Sequence, residues 1–250
     1  MDRDFRKGHI EIDFATERFD SAGKLLVRSA VLFFAHLRFL ATITLAVFLP
    51  GKLILQLACY LLNVPANGIL SYFLIDFSDL ILGALAVPAV VYGLVTKFRT
   101  GQTAPLAEAL RWGRRQWAKT LWNKVKVEIT VTLWGALLLL PGLAAMVRLA
   151  FADPVVAIEA DRQSDVLKRS QVLSRGHRWR ICFVLMPLLL LELVGSFAVL
   201  NLVEKAAYSR LLLAVADSLL AVGGQWTTVA VLLMYLGLAE STYNVRRKAG

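Results

Sequence analysis

Charged side chains inside apolar segments are the residues of this sequence whose type and spacing suit chemistry. They are Lys52, Asp76, Asp79, Glu128, Arg148, Glu192 and Asp217. Near the centre of a bilayer each costs about 2.5–3.5 kcal/mol, so each is expected to pair or to face a cavity. Asp76 and Asp79 are one helical turn apart and share a face. Arg148 is the expected cationic partner of one carboxylate, either Glu128, Asp79 or Asp217. Such a pair either fixes the register of two helices or couples a proton or solute to transport, and both interpretations stay open.

The sequence offers no arrangement of residues that is typical of an enzyme. Hydrolysis of a phosphodiester would need paired carboxylates and usually a metal ion, yet the histidines are only His9, His36 and His177. Motifs for an activated serine or a phosphate-binding loop are also missing. Cys59 and Cys182 lie inside apolar runs and are expected to be inert thiols. We therefore predict a protein without catalytic activity, metal ion or cofactor.

Composition places the chain in the membrane. Of its 250 residues 58% are hydrophobic and 18% are charged, whereas a soluble domain carries about 25% charged residues. The mean hydropathy is +0.62. The net charge of +10 comes from basic segments that alternate with apolar runs of membrane length, which is not the pattern of a nucleic-acid-binding module. Residues 1–250 are therefore predicted to form a single all-α integral membrane domain.

Six apolar runs are candidates for membrane helices. A helix needs about 20 apolar residues to cross about 30 Å of hydrocarbon. Five runs reach that length or come close to it, and they are residues 31–49, 69–95, 122–140, 181–203 and 211–238. The sixth run, residues 143–158, spans about 24 Å as a helix. It follows Pro141 and Gly142, which are expected to end or bend a helix.

Basic residues between the runs predict the topology. They concentrate in the amphipathic amino-terminal segment 1–30, in segments 97–126 and 159–180, and in the tail 241–250. Cytoplasmic loops of membrane proteins carry an excess of lysine and arginine, so all four segments are predicted to be cytoplasmic. An even number of crossings must then separate neighbouring segments. The result is six membrane helices in three hairpins, each preceded by a basic interfacial helix, in a bacterial cytoplasmic membrane with both termini inside.

The basic segments contain a weak internal repeat. Residues 26–36 align without gaps on residues 167–177, and Leu, Arg, Ser, Val, Leu and His coincide. Residues 105–117 form a looser third copy. We call these three segments the elbows. If the match is not due to chance, each repeat is a surface helix that leads into a hairpin, as in parallel transporter repeats.

The basic segment 159–180, which contains the elbow at residues 167–177, has the residues of a helix on a lipid surface. Near an anionic leaflet each exposed cation contributes about 1 kcal/mol, and Trp179 is typical of an interfacial aromatic belt. Gly176 is expected to form a left-handed cap. The elbow either anchors the protein to acidic lipid or recognises one headgroup specifically. The predicted contacts are Arg28, Lys168, Arg169, Ser170, Arg175, Arg178, Trp179 and Arg180.

One block of the sequence resembles a known bacterial family. It comprises the Pro141-Gly142 break, the strip 154–159 that begins with Pro154, and the pattern Val166-Leu-x-Arg-Ser-x-x-Leu-x-x-Gly-x-x-Trp-Arg180. The block is similar to the six-helix family named for the membrane domain of glycerophosphoryl diester phosphodiesterases. The resemblance implies a six-helix fold with no assigned activity, because the hydrolytic barrel of the fusion proteins is not in this sequence. Gln171 and the polar segment 161–163 depart from the family pattern.

Two functions follow from these residues. The first is a non-enzymatic scaffold that binds anionic membrane lipids or a protein partner through its basic elbows. The second is a small transporter or channel that uses the intramembrane carboxylates and Arg148. The first predicts that Arg169→Glu impairs function while Asp79→Asn does not, and the second predicts the reverse.

Overall fold

The computed structural model describes residues 21–65, 68–159, 165–203 and 209–249, and within these ranges it consists of helices joined by short turns, without a strand. The parts of the predicted basic segments at residues 1–20 and 160–164 lie outside the described residues. Within the described ranges the helices are α1 Ala22–Ala35, α2 Leu37–Leu61, α3 Ile69–Thr100, α4 Leu106–Leu137, α5 Leu139–Leu149, α6 Ala152–Glu159, α7 Val166–Ser174, α8 Arg178–Val203 and α9 Ser209–Ala249. The predicted all-α class is confirmed.

Five segments of the described chain are long and apolar enough to cross a membrane. They are Leu37–Leu61, Ile69–Thr100, Leu140–Glu159, Arg178–Val199 and Arg210–Ala239. The predicted run at residues 122–140 is not among them. It forms the end of α4, where Lys124, Lys126 and Glu128 interrupt the apolar sequence. The five candidate spans support a multi-pass membrane protein.

Helices α2 and α3 pack against each other in antiparallel directions. Phe39 near the start of α2 lies against Gly93 late in α3, and Gly51 later in α2 lies against Leu82. A Cβ atom at Gly51 would lie 2.7 Å from Leu82 Cδ2. Because glycine lacks this atom, the two backbones approach closely, as in many membrane helix pairs.

Helix α4 runs antiparallel to α5 and α6. Gly135 lies against Gly142, and farther from the turn Lys124 Nζ lies 3.0 Å from Asp153 Oδ2. The chain reverses at Leu138, whose backbone is extended with φ −158° and ψ 138°. The predicted helix break therefore exists, but it lies at Leu138 rather than at the Pro-Gly pair.

Pro141 and Gly142 lie in the first turn of α5. Proline is tolerated there because the first backbone N–H groups of a helix have no intrahelical partner. Gly142 has a different role, since a Cβ atom on it would lie 2.6 Å from Gly135 Cα. Pro154 has an equivalent place in the first turn of α6. The Pro-Gly pair thus starts a helix and closes the contact with α4.

Two of the three elbows are separate helices followed by a break. Helix α1 ends at Ala35 and α2 begins after His36, whereas α7 ends at Ser174 and α8 begins after His177. Gly176 has φ +82°, which confirms the predicted left-handed conformation. The elbow at residues 105–117 has no break, because residues 106–117 are the start of the continuous 32-residue helix α4. The prediction of a separate surface helix at residues 97–126 is wrong.

The three elbows pack in a common pattern. The start of α4 packs on α3, and α7 packs on α5 and α6, so each of these two elbows lies against the second part of the antiparallel pair that precedes it. The first elbow, α1, packs on α9, which is the second helix of the last pair. A small residue makes each contact, namely Ser29, Gly113 and Ser170. This arrangement supports the sequence repeat, with the last pair closing onto the first elbow.

Candidate functional site

A cluster of three charged residues, centred on a buried lysine, joins α2, α3 and α9. Lys52 Nζ lies 2.7 Å from Asp79 Oδ1 and 3.2 Å from Asp217 Oδ2. The side chain of Lys52 is 0% exposed, that of Asp217 19% and that of Asp79 45%. All three residues lie in candidate membrane spans. We call this group the Lys52 cluster.

The predicted pairing of Arg148 with Asp79 or Asp217 is wrong. Arg148 is exposed near the end of α5, and within the described residues its backbone carbonyl makes hydrogen bonds but its guanidinium makes none. The cation that pairs with these two aspartates is Lys52. The sequence prediction ended the first span at Leu49, before Pro50, but α2 continues through Pro50 to Leu61. Proline is tolerated inside a membrane helix when neighbouring groups satisfy the freed backbone, and this places Lys52 within the span.

Two further polar residues accompany the cluster. Gln56 lies one turn after Lys52 on α2, is buried, and its Nε2 has no hydrogen-bond partner within the described part of the chain. Asp76 lies one turn before Asp79 on α3 and is exposed. The prediction that the two aspartates share a face of one helix is consistent with these positions, but only Asp79 reaches the lysine.

Glu192 is held separately from the Lys52 cluster. It accepts a hydrogen bond from Thr227 Oγ1 at 2.7 Å between α8 and α9. A Cβ atom at Gly224 would lie 3.4 Å from the same carboxylate, so this glycine makes room for Glu192.

A cavity of about 240 Å³ lies among α3, α4, α5, α6, α8 and α9. Its lining is mostly apolar, with the Lys124–Asp153 ion pair, Glu128 and Thr227 as polar groups. Arg148 does not line this cavity, and the cation that lines it together with Glu128 is Lys124. The expectation that Glu128 pairs or faces a cavity is consistent with its place in this lining, but the sequence did not anticipate the Lys124–Asp153 ion pair.

Arg169 is the centre of an internal contact and does not face a lipid headgroup. Its Nε and Nη2 each donate to Glu159 at 3.2 Å, and the two side chains are only 21% and 16% exposed. Tyr235 Oη donates to the same carboxylate at 2.6 Å. The predicted headgroup contact of Arg169 is therefore wrong, because the helix face that carries it points toward α6 and α9.

Ser170 is likewise internal, which corrects its predicted headgroup contact. It is fully buried. Its Oγ accepts from the Phe151 backbone N–H at 3.1 Å and donates to the Arg148 carbonyl oxygen at 2.9 Å. These two backbone groups lie at the break between α5 and α6, so Ser170 replaces hydrogen bonds that the interrupted helix cannot make. Ser29 holds the matching position of α1 and accepts from Trp226 Nε1 at 3.0 Å.

The remaining predicted headgroup residues divide by exposure. Arg175, Arg178 and Trp179 are exposed around the start of α8, while Arg180 is half-buried. Arg28 is also exposed, and it has an interaction of its own. These residues can meet headgroups without a change in the fold.

Lys168 is exposed as well, but it already has a partner. Its ammonium lies 2.9 Å from Asp165 Oδ2. The hydrogen bonds from the Lys168 side chain and backbone lower the pKa of the Asp165 carboxyl. Asp165 caps the start of α7, where its side chain accepts from the Lys168 backbone N–H.

The start of α4 carries an exposed row of arginines that were not among the predicted headgroup contacts. Arg111, Arg114 and Arg115 are exposed and line one shallow hollow of the surface. Beside them Trp112 stacks on Tyr92 with ring centroids 5.2 Å apart, and the Arg115 guanidinium carbon lies 6.0 Å from the Trp112 ring centre. The spacing of three and four residues was the available signal, because such residues share one helix face.

No protein-family model, no curated protein and no solved structure matches this chain. The resemblance to the phosphodiesterase membrane-domain family therefore stays a prediction.

Proposed function

We propose that this chain is a non-enzymatic integral membrane protein that binds anionic lipid headgroups through the basic end of its helix bundle. The observation that carries the proposal is the exposed row of Arg111, Arg114 and Arg115. Three guanidinium groups on one helix face match the geometry of phosphate oxygens, and Glu108, one turn earlier on α4, is engaged by the Tyr92 hydroxyl. A stacked pair of aromatic rings, Tyr92 and Trp112, lies beside the row, as is common at the membrane interface.

The same end of the bundle carries the other exposed cations. The start of α4 lies beside the later half of α3, and the start of α8 lies beside the later part of α9. Arg175, Arg178 and Trp179 therefore belong to the same end as the arginine row. We propose that this end is cytoplasmic, because lysine and arginine accumulate on that side.

We further propose six crossings, with α4 as the helix that the apolar criterion omits. Its Gly113 packs against the Leu85 carbonyl, and its Trp117 Nε1 donates to the Ile81 carbonyl at 3.2 Å. Helix α4 therefore runs the length of the bundle against α3 and α5–α6. Three antiparallel pairs with both termini on the cytoplasmic side follow from this arrangement.

The arginine row also indicates where the bilayer boundary lies. It is level with residues 85–89 of α3, and the opposite end of that helix begins at Ile69. About 16–20 residues then cross the hydrocarbon, which is about 24–30 Å. The difference from about 30 Å is within the reach of arginine side chains that extend toward the headgroups.

Native mass spectrometry of the protein, released from the membrane in detergent-free lipid particles, tests the proposal. We expect the wild type to retain a defined number of anionic lipids, and the variant R111Q/R114Q/R115Q to lose them. Lys168→Gln is the matched control, because this ammonium is already paired with Asp165. Retention of the same lipids by the triple variant, or bulk lipid only on the wild type, would contradict the proposal.

A second candidate, a small transporter, is favoured by the Lys52 cluster and by the cavity that Lys124, Asp153 and Glu128 line. It predicts that Asp79→Asn abolishes solute flux into vesicles while the triple arginine variant does not. The sequence-based test with Arg169→Glu cannot separate the two functions, because Arg169 holds the fold together. Arg114→Glu replaces it as the variant that perturbs only the surface.

A further inference from the structure

The Lys52 cluster has an excess of negative charge. One lysine contacts two aspartates, Asp79 and Asp217, and with both carboxylates ionised the group carries one uncompensated negative charge. Among the described residues no second cation lies within ion-pair distance of either aspartate. Asp76, one turn away on α3, adds to the imbalance. The charged groups of the neighbouring helices are otherwise engaged: Lys124 of α4 binds Asp153, and Glu192 of α8 binds Thr227.

The surroundings of the cluster make an uncompensated charge costly. Lys52, Asp79 and Asp217 each lie about 8–10 residues from the end of the bundle where α2 meets α3, which is about 12–15 Å along the helices. In the proposed placement this is about half of the ~30 Å hydrocarbon layer. A buried ion without compensation costs several kcal/mol even after relaxation. Lys52 is fully buried and Asp217 is only 19% exposed, so the site favours the binding of one further positive charge.

We propose that Asp79 and Asp217 together bind one exchangeable proton, with Lys52 as the fixed cation between them. The proton comes from water and forms one O–H bond with a carboxylate oxygen, and no other bond changes. A carboxyl oxygen of the pair can accept a hydrogen bond from the amide Nε2 of Gln56, which is buried one turn from Lys52 and has no partner among the described residues. Two carboxylates that share one proton are a known consequence of placing like charges together.

A proton fits this site better than a metal ion. Metal ions such as Na⁺ or Ca²⁺ need several oxygen ligands, and the described residues contain no group of three or more metal-binding side chains. Asp79 is the more exposed carboxylate and provides the route of entry. Asp76, on the same helix and one turn nearer the α2–α3 end, is positioned to pass protons to it. The inference rests on the bilayer placement proposed above, but it does not require that the arginine row binds lipid.

Infrared spectroscopy of the full-length protein in lipid vesicles tests the assignment, because protonated carboxylic acids and carboxylates absorb separately. At neutral pH we expect Asp79→Asn and Asp217→Asn each to remove one carboxylic acid from the spectrum, since the remaining aspartate then forms a balanced pair with Lys52. Lys52→Met should have the opposite effect and add one carboxylic acid. A merely structural salt bridge would not produce changes of opposite sign.

Two controls make the result decisive. Glu192→Gln identifies the contribution of Glu192, whose described side-chain partner is the Thr227 hydroxyl rather than a cation. The three cluster variants are compared within that background. Raising the pH should remove the acid absorption of the wild type reversibly, a measurement that requires no variant to fold. An unchanged acid absorption in both asparagine variants would overturn the proposal. Loss of the wild-type acid absorption when K⁺ is replaced by Na⁺ would also overturn the proposal, because it would show that a metal cation occupies the site.

Discussion

Arg169 and Glu159 join the elbow helix α7 to the end of α6 through two hydrogen bonds of 3.2 Å. Glu159 accepts a third from Tyr235 of α9 at 2.6 Å. One carboxylate thus connects three helices from different parts of the chain. The strip 154–159 and the pair Arg169-Ser170 form the most specific sequence motif of this protein. Contacts among the helices α5, α6, α7 and α9 explain this motif.

Replacing Arg169 with glutamine should destabilise the protein strongly. The change leaves the half-buried Glu159 without its cation, and breaking such a pair costs about 3–5 kcal/mol when it is fully buried. We expect about half of that or more here, seen as a lower midpoint of thermal unfolding in detergent. Arg178→Gln, an exposed arginine on the same side of the elbow, is the control. Equal midpoints for the two variants would contradict the internal role of Arg169.

Ser170→Ala should destabilise the break between α5 and α6. The substitution removes the partner of the Phe151 N–H and of the Arg148 carbonyl, and a buried polar group without a partner costs about 1–3 kcal/mol. Hydrogen exchange at Phe151 should become faster. Ser196→Ala is a suitable comparison, because Ser196 is exposed and bonds only within its own helix. Unchanged exchange at Phe151 would show that Ser170 does not hold the break.

Two glycines at the α4–α5 contact should respond differently to alanine. A Cβ atom at Gly142 would lie 2.6 Å from Gly135 Cα, whereas one at Gly135 would meet nothing within 4 Å. Gly142→Ala must push the helices apart, and overpacking of this kind costs about 1–3 kcal/mol. Gly135→Ala should be neutral or stabilising by up to about 1 kcal/mol, since alanine favours a helix. Thermal unfolding of the two variants compares them directly, and equal effects would contradict the close contact.

Cysteine labelling should distinguish six crossings from five. Leu138 lies at the turn between α4 and α5 and is exposed, so six crossings place it outside the cell together with Asn63. Leu138→Cys and Asn63→Cys should therefore react with a membrane-impermeant thiol reagent added to intact cells, while Gln102→Cys should react only after lysis. The native thiols do not interfere when Cys59 and Cys182 are replaced. Protection of Leu138→Cys in intact cells would contradict six crossings.

The helical membrane class and several local features followed from the sequence. Apolar runs of membrane length form helices because the backbone must satisfy its own hydrogen bonds where water is absent. Gly176 adopts its left-handed conformation because a residue without Cβ tolerates it. The Pro-Gly pair marked a helix boundary within three residues. These features depend on neighbouring residues in the chain, and a sequence displays such neighbours directly.

Only the tertiary structure decided which charges meet. Lys52 and Asp217 are 165 positions apart, and nothing local to either residue indicates that α2 and α9 pack side by side. The orientation of α7 determined that Arg169 and Ser170 face the protein, although their composition equally suited a lipid surface. The same holds for α4, whose basic start packs along α3 rather than lying alone. Burial of a polar side chain depends on which helices surround it, and that choice is made by packing of the whole bundle.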